Sequence, residues 1–315
     1  MFYNARAACL VFSNSSFIQD TSLYTLEFKS LLVSEISYAA ISQTECFTQE
    51  TIYSPLKDNK PGIPISLVYK SSCMKDTALQ RPLYMIAYGS YGGYQDPTFR
   101  SEHQILLDQG FIVAICHPRG DGDLGANWYT DGKYEKKENT FRDVEQCIHH
   151  LVDSGYAKPG KIAVKARSAG GLVAGNLINS FGDLAGGLVS VVITQVPFID
   201  PIYDMIDVRV PWTGVEWYEW GDPNRNASIL RAMKRYSPYH NVPSHGKLIP
   251  TFVLCGMNDA RVPYWEPTKW IAKMREFKKS KTSLLLRVRD VGHFEAGEVD
   301  TLEMFTFLFR ELNIV

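Results

Sequence analysis

The alternation of short apolar segments with helical segments, which begins at Pro82, constrains the fold of this chain most strongly. In the segment 139–156, the apolar residues Val144, Cys147, Ile148 and Leu151 repeat with the spacing of one helix face. Strands that alternate with helices form βαβ units, whose parallel sheet is covered on both faces. The sequence therefore predicts an α/β fold with a mostly parallel, doubly wound sheet. The predicted strands are 83–88, 111–116, 162–165, 188–196, 251–255 and 283–288, and the predicted helices are 100–109, 139–156, 169–180, 264–279 and 298–312.

The first 75 residues or so have a different pattern, with little helical periodicity. Short strands are predicted at 10–17, 22–28, 51–55 and 63–69, separated by polar turns. The segments 182–187 and 212–223 are rich in turn residues and are expected to be loops rather than domain boundaries.

Charge and composition exclude several classes of protein. Lys and Arg total 33 and Asp and Glu total 34, so the net charge of −1 argues against non-specific binding to nucleic acid or to an anionic membrane. No apolar run approaches the roughly 18 residues of a spanning helix, and the N-terminus has no basic region followed by an apolar one. We therefore expect neither a membrane span nor a secretory signal.

The six cysteines lie far apart and form no C-x-x-C pair. This spacing fits neither a metal site nor a disulfide framework. We expect reduced, partly buried thiols, as in a cytoplasmic protein.

Ser168 lies where an apolar strand runs into a sharp turn and a helix of small residues, in K-A-R-S-A-G-G-L-V-A-G. This strand–turn–helix context is typical of a nucleophile elbow, which needs small residues two positions before and after the serine. Gly170 meets that need, and Ala166 stands where a glycine is usual. A serine that caps a helix N-terminus would have the same neighbours, so this alternative stays open.

Candidate partners follow Ser168 in the order of acid and then histidine, which is the chain order of this type of site. Asp259 comes just after the predicted strand 251–255, and His293 follows the predicted strand 283–288. Neutral imidazole could take the serine proton, and a carboxylate could hold the imidazole tautomer. Asp290 is an alternative acid only three residues before His293.

The chain resembles the prolyl oligopeptidase family of serine peptidases, and within it the oligopeptidase B branch. The resemblance runs in order through Y-G-S-Y-G-G, C-H-P-R-G-D-G, R-S-A-G-G, E-W-G-D-P, Y-S-P-Y-H-N-V, D-A-R-V-P-Y-W and G-H-F. It implies an α/β-hydrolase fold and a triad of Ser168, Asp259 and His293. It also implies an oxyanion hole formed by the Tyr88 hydroxyl and the Ala169 N–H, and Arg261 bound to a substrate carbonyl. No cofactor or metal is implied.

The family caps its hydrolase domain with a seven-bladed β-propeller, most of which is missing here. The resemblance implies a remnant of the last blade at 1–50, a linker and first strand region at 51–75, and the α/β-hydrolase catalytic domain at 76–315. The chain thus resembles the C-terminal part of a longer protein. An isolated blade cannot bury both of its faces, so we expect residues 1–50 to be loosely held or to dock in an unusual way.

The oligopeptidase B branch binds a substrate Arg or Lys through paired acids, a geometry that suits a guanidinium. Glu216 and Asp96 match the first acid of each pair, and Glu219 matches a neighbouring acid. Tyr218 and Thr98 replace the second acids, so we expect the preference for basic residues to survive but weaken.

These inferences predict a cytoplasmic serine peptidase that acts on short peptides and cleaves after Arg or Lys through an acyl-enzyme. The alternatives are a prolyl-specific oligopeptidase, a generic esterase and a catalytically silent fragment. The sequence predicts no nucleic-acid or membrane partner and does not indicate an oligomeric state.

Overall fold

The fold is described from a computed structural model of the 315-residue chain. The structure describes residues 2–4, 9–16, 22–37, 47–56, 62–72, 81–98, 100–181, 187–244, 248–278, 281–295 and 297–314. In these ranges the strands form two separate sheets, one of four strands and one of eight.

The four-stranded sheet is an antiparallel meander in chain order. Its strands are β1 (Phe2–Asn4), β2 (Cys9–Asn14), β3 (Ser22–Glu27) and β4 (Val33–Ser37). The predicted strands at 10–17 and 22–28 correspond to β2 and β3, although residue 17 lies outside the described ranges. Four antiparallel strands are the unit of a β-propeller blade, and the assignment of 1–50 to a blade remnant stays a prediction.

The eight-stranded sheet confirms the prediction of a mostly parallel arrangement. Its strands are β5 (Phe47–Ser54), β6 (Ile63–Lys70), β7 (Leu83–Ile86), β8 (Ile112–Cys116), β9 (Ile162–Arg167), β10 (Val189–Gln195), β11 (Thr251–Gly256) and β12 (Leu284–Arg289). Their order is β12-β11-β10-β9-β7-β8-β6-β5, and the first six strands of that order are parallel. β6 is antiparallel to β8 and to β5. The sheet thus begins at Phe47, and the described strands of the stretch expected as a linker and first strand region, β5 and β6, belong to it.

Helices cover both faces of this sheet, so its central strands are almost continuously apolar and buried. The helices of the described chain are α1 (Ser101–Asp108), α2 (Ala126–Thr130), α3 (Glu138–Asp153), α4 (Gly171–Phe181), α5 (Pro201–Ile206), α6 (Thr213–Trp220), α7 (Ala227–Tyr236), α8 (Trp265–Phe277) and α9 (Glu298–Leu312). One core cluster joins the sheet to α3, α4 and α8, and a second cluster joins its other face to α1 and α9. None of these helices combines the length and the apolar character that crossing a bilayer requires.

The prediction of a loop at 212–223 is wrong for Thr213–Trp220, which form α6. Tertiary contacts hold this short helix in place. The Thr213 hydroxyl donates to the carbonyl oxygens of Asp204 and Asp207, at 2.6 and 3.0 Å. The Trp220 indole donates to Glu216 one turn earlier, at 3.0 Å. The other predicted loop falls mostly on residues outside the described ranges.

The sheet reverses its winding direction between β7 and β9. These strands are neighbours, whereas the chain passes from β7 to β8 on the opposite side. A crevice forms outside the carboxyl ends of the strands at such a point, and open α/β sheets bind their ligands there. Tyr88 follows β7 and Ser168 follows β9, so both lie at this crevice.

Candidate active site

Ser168 occupies a strained backbone position at the end of β9. Its φ is +52°, in the left-handed region that residues with a side chain rarely adopt. The extended Arg167 precedes it, and a 3-10 turn (Ser168–Gly170) leads into α4. A Cβ atom on Gly170 would lie only 3.0 Å from the Ala87 carbonyl oxygen, so a side chain here would be tightly crowded. The methyl group of Ala166 is accommodated in the core, where the residue is buried.

His293 and Asp259 meet Ser168 in a continuous hydrogen-bonded chain. His293 Nε2 lies 2.9 Å from Ser168 Oγ, and His293 Nδ1 lies 2.6 Å from Asp259 Oδ2. The other carboxylate oxygen of Asp259 accepts hydrogen bonds from the backbone N–H groups of Arg261 and Val262, at 2.8 and 2.9 Å. Both Asp259 and His293 are buried. Such a chain of groups can supply a nucleophile, a base and an acid that orients the base.

Asp290, the alternative acid, is exposed at the end of β12. Its carboxylate accepts a 2.7 Å hydrogen bond from the Asn258 side chain. The structure therefore places Asp259, and not Asp290, against the imidazole of His293.

Tyr88 is half-buried on the loop that follows β7 and lines two cavities together with Ser168. Burial, and then the charge of Asp121, raise the pKa of its hydroxyl to about 12. The hydroxyl therefore keeps its proton at neutral pH and can donate a hydrogen bond. Ala169, whose N–H is the other expected donor, is buried directly after Ser168.

Two buried ionisable groups hold the backbone beside Tyr88. The Lys137 ammonium donates to the Gly89 carbonyl oxygen and to Ser90 Oγ, the latter at 3.0 Å. The Gly89 N–H donates to Asp121 Oδ1 at 2.8 Å. Burial lowers the pKa of Lys137 to about 8, although the charges of Glu219 and Asp121 oppose this shift. Sequence reasoning did not identify this clamp, because Lys137 and Asp121 carry no motif that connects them to Gly89.

Two cavities open onto Ser168, and Tyr88 and Arg261 line both of them. The larger has a volume of about 560 Å³ and is called the Asp96 cavity here. The smaller has a volume of about 300 Å³ and is called the Glu216 cavity. The Asp96 cavity is lined by Ile86, Ala87, Tyr88, Gln95, Asp96, Arg100, Glu102, Ile115, Lys165, Ala166, Arg167, Ser168, Gln195, Arg261, His293, Phe294 and Thr301. The Glu216 cavity is lined by Tyr88, Tyr91, Gly93, Ser168, Ala169, Phe198, Asp204, Met205, Val210, Trp212, Thr213, Glu216, Trp220, Arg261 and Val262.

Glu216 is half-buried and oriented by two donors. The Tyr91 hydroxyl and the Trp220 indole both donate to its Oε2 atom, at 2.7 and 3.0 Å. The carboxylate therefore lines its cavity in a fixed orientation, within reach of a ligand bound next to Ser168.

Glu219, an expected substrate-binding acid, lines neither cavity. It is almost completely buried and accepts hydrogen bonds from the Tyr91 N–H and the Tyr129 hydroxyl, at 2.9 and 2.5 Å. These contacts indicate that Glu219 supports the loop on which Tyr91 lies. The neighbouring Tyr218 is 73 % exposed, and its ring lies over the Lys133 ammonium.

Arg261 lines both cavities, whereas Asp96 lines only one of them. Arg261 is exposed at the junction of both cavities, with its guanidinium 5.2 Å from the Trp212 ring and 5.6 Å from the Phe294 ring. Asp96 is exposed and lines only the larger cavity. The structure therefore brings Arg261, but not Asp96, to the cavity that contains Glu216. In the described part of the chain, no group of three or more His, Cys, Asp or Glu side chains has an arrangement that could hold a metal ion.

Comparison with known proteins identifies the family of this chain. The model of the prolyl oligopeptidase family matches residues 97–313. Protease 2 of Moraxella lacunata is 33% identical over 94% of this chain and 45% of its own length. Oligopeptidase B from Leishmania major superposes with a TM-score of 0.88 at 31% identity, over 98% of this chain and 43% of that chain. Oligopeptidase B from Trypanosoma brucei, solved with covalently bound antipain, gives a TM-score of 0.85 at 34% identity over the same shares.

The chain spans less than half the length of these relatives. The match nevertheless covers most of this chain and includes the segments that carry Ser168, Asp259 and His293. The eight-stranded sheet and its helices have the α/β-hydrolase fold of these neighbours. The chain therefore belongs to the prolyl oligopeptidase family of serine peptidases.

Proposed function

We propose that this chain is a serine peptidase that hydrolyses short peptides on the carboxyl side of Arg or Lys. The observation that carries the proposal is the hydrogen-bonded chain from Ser168 through His293 to Asp259, at 2.9 and 2.6 Å, beside a cavity lined by Glu216. The names of the relatives, Protease 2 and oligopeptidase B, support the same class of reaction.

In the proposed reaction, Ser168 Oγ attacks the substrate carbonyl carbon while His293 Nε2 takes the hydroxyl proton. Asp259 holds the imidazole through Nδ1 and stabilises the imidazolium that forms. His293 then gives the proton to the leaving amine, which departs and leaves an acyl group on Ser168. Water, deprotonated by the same imidazole, hydrolyses this ester and restores the serine.

The oxyanion of the tetrahedral intermediate needs donors that are already in place. We assign these donors to the Tyr88 hydroxyl and the Ala169 N–H. The raised pKa of Tyr88 keeps its proton available, and the clamp formed by Lys137 and Asp121 fixes the adjacent peptide. Such preorganised donors stabilise the transition state because they need no reorganisation during the reaction.

The preference for a basic residue is assigned to Glu216. Its carboxylate is held by Tyr91 and Trp220, and aromatic side chains line the same cavity. Aromatic walls would also suit a proline side chain, which the alternative prolyl-specific oligopeptidase would bind. A carboxylate in the wall favours a cationic side chain, since it offers a charge-assisted hydrogen bond that proline cannot use.

The proposal places the reaction in the cytoplasm. Cys116, Cys147 and Cys255 are buried, free thiols in the structure. Unpaired thiols of this kind are typical of a reducing compartment.

Labelling with a fluorophosphonate probe tests the assembly of the site, with the wild type compared with Ser168→Ala. We expect labelling that depends on Ser168, followed by faster turnover of Arg than of Pro fluorogenic peptides. A folded chain that resists the probe would identify a catalytically silent fragment. A labelled chain that hydrolyses esters but no peptides would identify a generic esterase.

A further inference from the structure

A second acid, Asp204, lines the Glu216 cavity. Asp204 belongs to α5, whereas Glu216 belongs to α6, so two helices each contribute one carboxyl group to the same cavity. Asp204 is only 3% exposed. Nothing in its local sequence marks it as a binding residue, and the motif that contains Glu216 lies on a different element.

The Asp204 carboxyl group lies next to a second buried acid. Glu266, on α8, is completely buried, and its Oε2 atom accepts hydrogen bonds from the N–H groups of Ile199 and Asp200, at 3.1 and 3.0 Å. Burial, and then the charge of Asp204, raise the pKa of Glu266 well above its usual range, so Glu266 keeps its proton. Burial raises the pKa of Asp204 as well, so a cation in the cavity would favour its ionised form.

The Oδ1 atom of Asp204 is buried and has no hydrogen-bond partner among the residues that the structure describes. Lys269, which approaches the same region, forms an ion pair with Asp200. A buried polar oxygen without a partner is costly, so a cationic ligand group in the cavity would find an acceptor already in place.

The walls of the cavity suit the stem of a long basic side chain. The rings of Phe198 and Trp220 pack 5.1 Å apart, and Met205 lies beside them in the lining. Lys and Arg bury their methylene stems on such surfaces while the charged head reaches a polar partner. Tyr218, which stands where a second acid was expected, points instead towards Lys133 and lines no part of this cavity.

We propose that Asp204 is a specificity-determining residue, whose carboxylate acts together with Glu216 to bind the guanidinium or ammonium group of the substrate residue before the cleaved bond. The inference deepens the proposed function and rests on it. In this proposal, Asp204 on α5 supplies the second acid of the cavity. We therefore do not expect the replacement of the acid at position 218 by tyrosine to weaken the preference for basic residues.

Calorimetric titration of the full chain with benzamidine, and with the neutral isostere benzamide, tests this role without any turnover. We expect Asp204→Asn to weaken benzamidine binding about tenfold to a hundredfold, as loss of a hydrogen bond between charged groups predicts, and to leave benzamide binding unchanged. Asp207→Asn is the matched control, because Asp207 pairs with Arg209 and does not line the cavity. Asp204→Ser is expected to weaken benzamidine binding in the same way as Asp204→Asn. It is the second variant to test if the amide of Asp204→Asn disturbs the contact with Glu266.

Unchanged benzamidine affinity in both Asp204 variants would overturn the proposal. So would an equal loss for benzamidine and benzamide, which would show that Asp204 only shapes the cavity, or a wild type that does not bind benzamidine. The proposed function fails on a different readout, the labelling of Ser168, so the two failures are distinguishable.

Discussion

The guanidinium group of Arg167 donates a 2.6 Å hydrogen bond from Nη2 to the carbonyl oxygen of His293. Arg167 directly precedes Ser168, so one side chain connects the strand that carries the serine to the loop that carries the histidine. The Phe294 ring lies 5.7 Å from the same guanidinium. The relative position of Ser168 and His293 therefore depends on Arg167 as well as on the sheet.

Arg167→Gln should lower kcat for peptide substrates about tenfold, with little change in KM, because a small displacement of the imidazole impairs proton transfer more than substrate binding. Steady-state kinetics measure the two constants separately. Arg231→Gln, an exposed arginine on α7, is the control. A rise in KM at constant kcat would contradict a role in positioning the imidazole.

Asp259→Asn should lower kcat by about 10⁴-fold, since an amide at this position no longer holds the productive imidazole tautomer. Asp290→Asn makes the same change in the other acid near His293, and we expect near wild-type rates, because Asp290 is exposed and bonded to Asn258. Comparable losses of kcat in the two variants would contradict the assignment of Asp259, rather than Asp290, as the acid that orients His293.

Tyr88→Phe should lower kcat roughly 100-fold to 1000-fold, which is the usual cost of removing one oxyanion donor. KM should change little, since the hydroxyl is proposed to act mainly in the transition state. Tyr156→Phe, which removes a hydroxyl bonded to Glu50, is a control outside both cavities. If kcat of Tyr88→Phe stays within a few-fold of the wild type, the oxyanion donor is another group.

Glu216→Gln should raise KM for Arg peptides about tenfold and leave KM for neutral peptides almost unchanged, because only the cationic side chain loses a charge-assisted hydrogen bond. Glu145→Gln on α3 offers the same substitution away from both cavities. An equal rise for both peptides would place Glu216 outside the pocket that selects the substrate.

The buried Lys137 predicts a pH dependence of stability. Its pKa is lowered from 10.5 to about 8, so between these values the unfolded chain binds more protons than the folded one. The contribution of Lys137 to the free energy of unfolding therefore rises with pH across this window, by up to about 3 kcal/mol. The difference in unfolding free energy between the wild type and Lys137→Met, measured in denaturant at pH 7 and pH 10, should increase accordingly.

Lys136→Met is the matched control for this measurement, since the Lys136 ammonium is 61% exposed and pairs with Asp131. Its difference from the wild type should stay nearly constant over the same pH range. A constant difference for Lys137→Met as well would mean that its ammonium titrates at the same pH in both states.

The parallel sheet was predictable because its central strands, such as β8 and β10, are buried on both faces and are therefore almost continuously apolar. The helix α6 was not, because Thr213–Trp220 contains glycine, valine and aromatic residues, which form helices weakly by themselves. Contacts with the carbonyl groups of Asp204 and Asp207 stabilise this helix, and its own sequence does not contain that information.

The candidate site also contains some residues that the sequence could identify and others that it could not. Ser168, Asp259 and His293 each follow a strand, so their order and context could be recognised along the chain. The roles of Asp204 and Lys137 depend on Glu266 and Gly89, which are distant in sequence and become neighbours only on folding. A pattern along the chain cannot identify such pairs.

The strands that lead to the site residues differ in how many neighbouring strands they pair with. Among the described strands, β12, which leads directly to His293, lies at one end of the eight-stranded order and pairs with β11 alone, whereas β9, which leads to Ser168, is flanked on both sides. An end strand opens with a smaller free energy than the centre of a sheet. Fraying of this edge would displace His293 while the core stays folded, so the hydrogen-bonded chain through Ser168 and Asp259 would open before the protein unfolds.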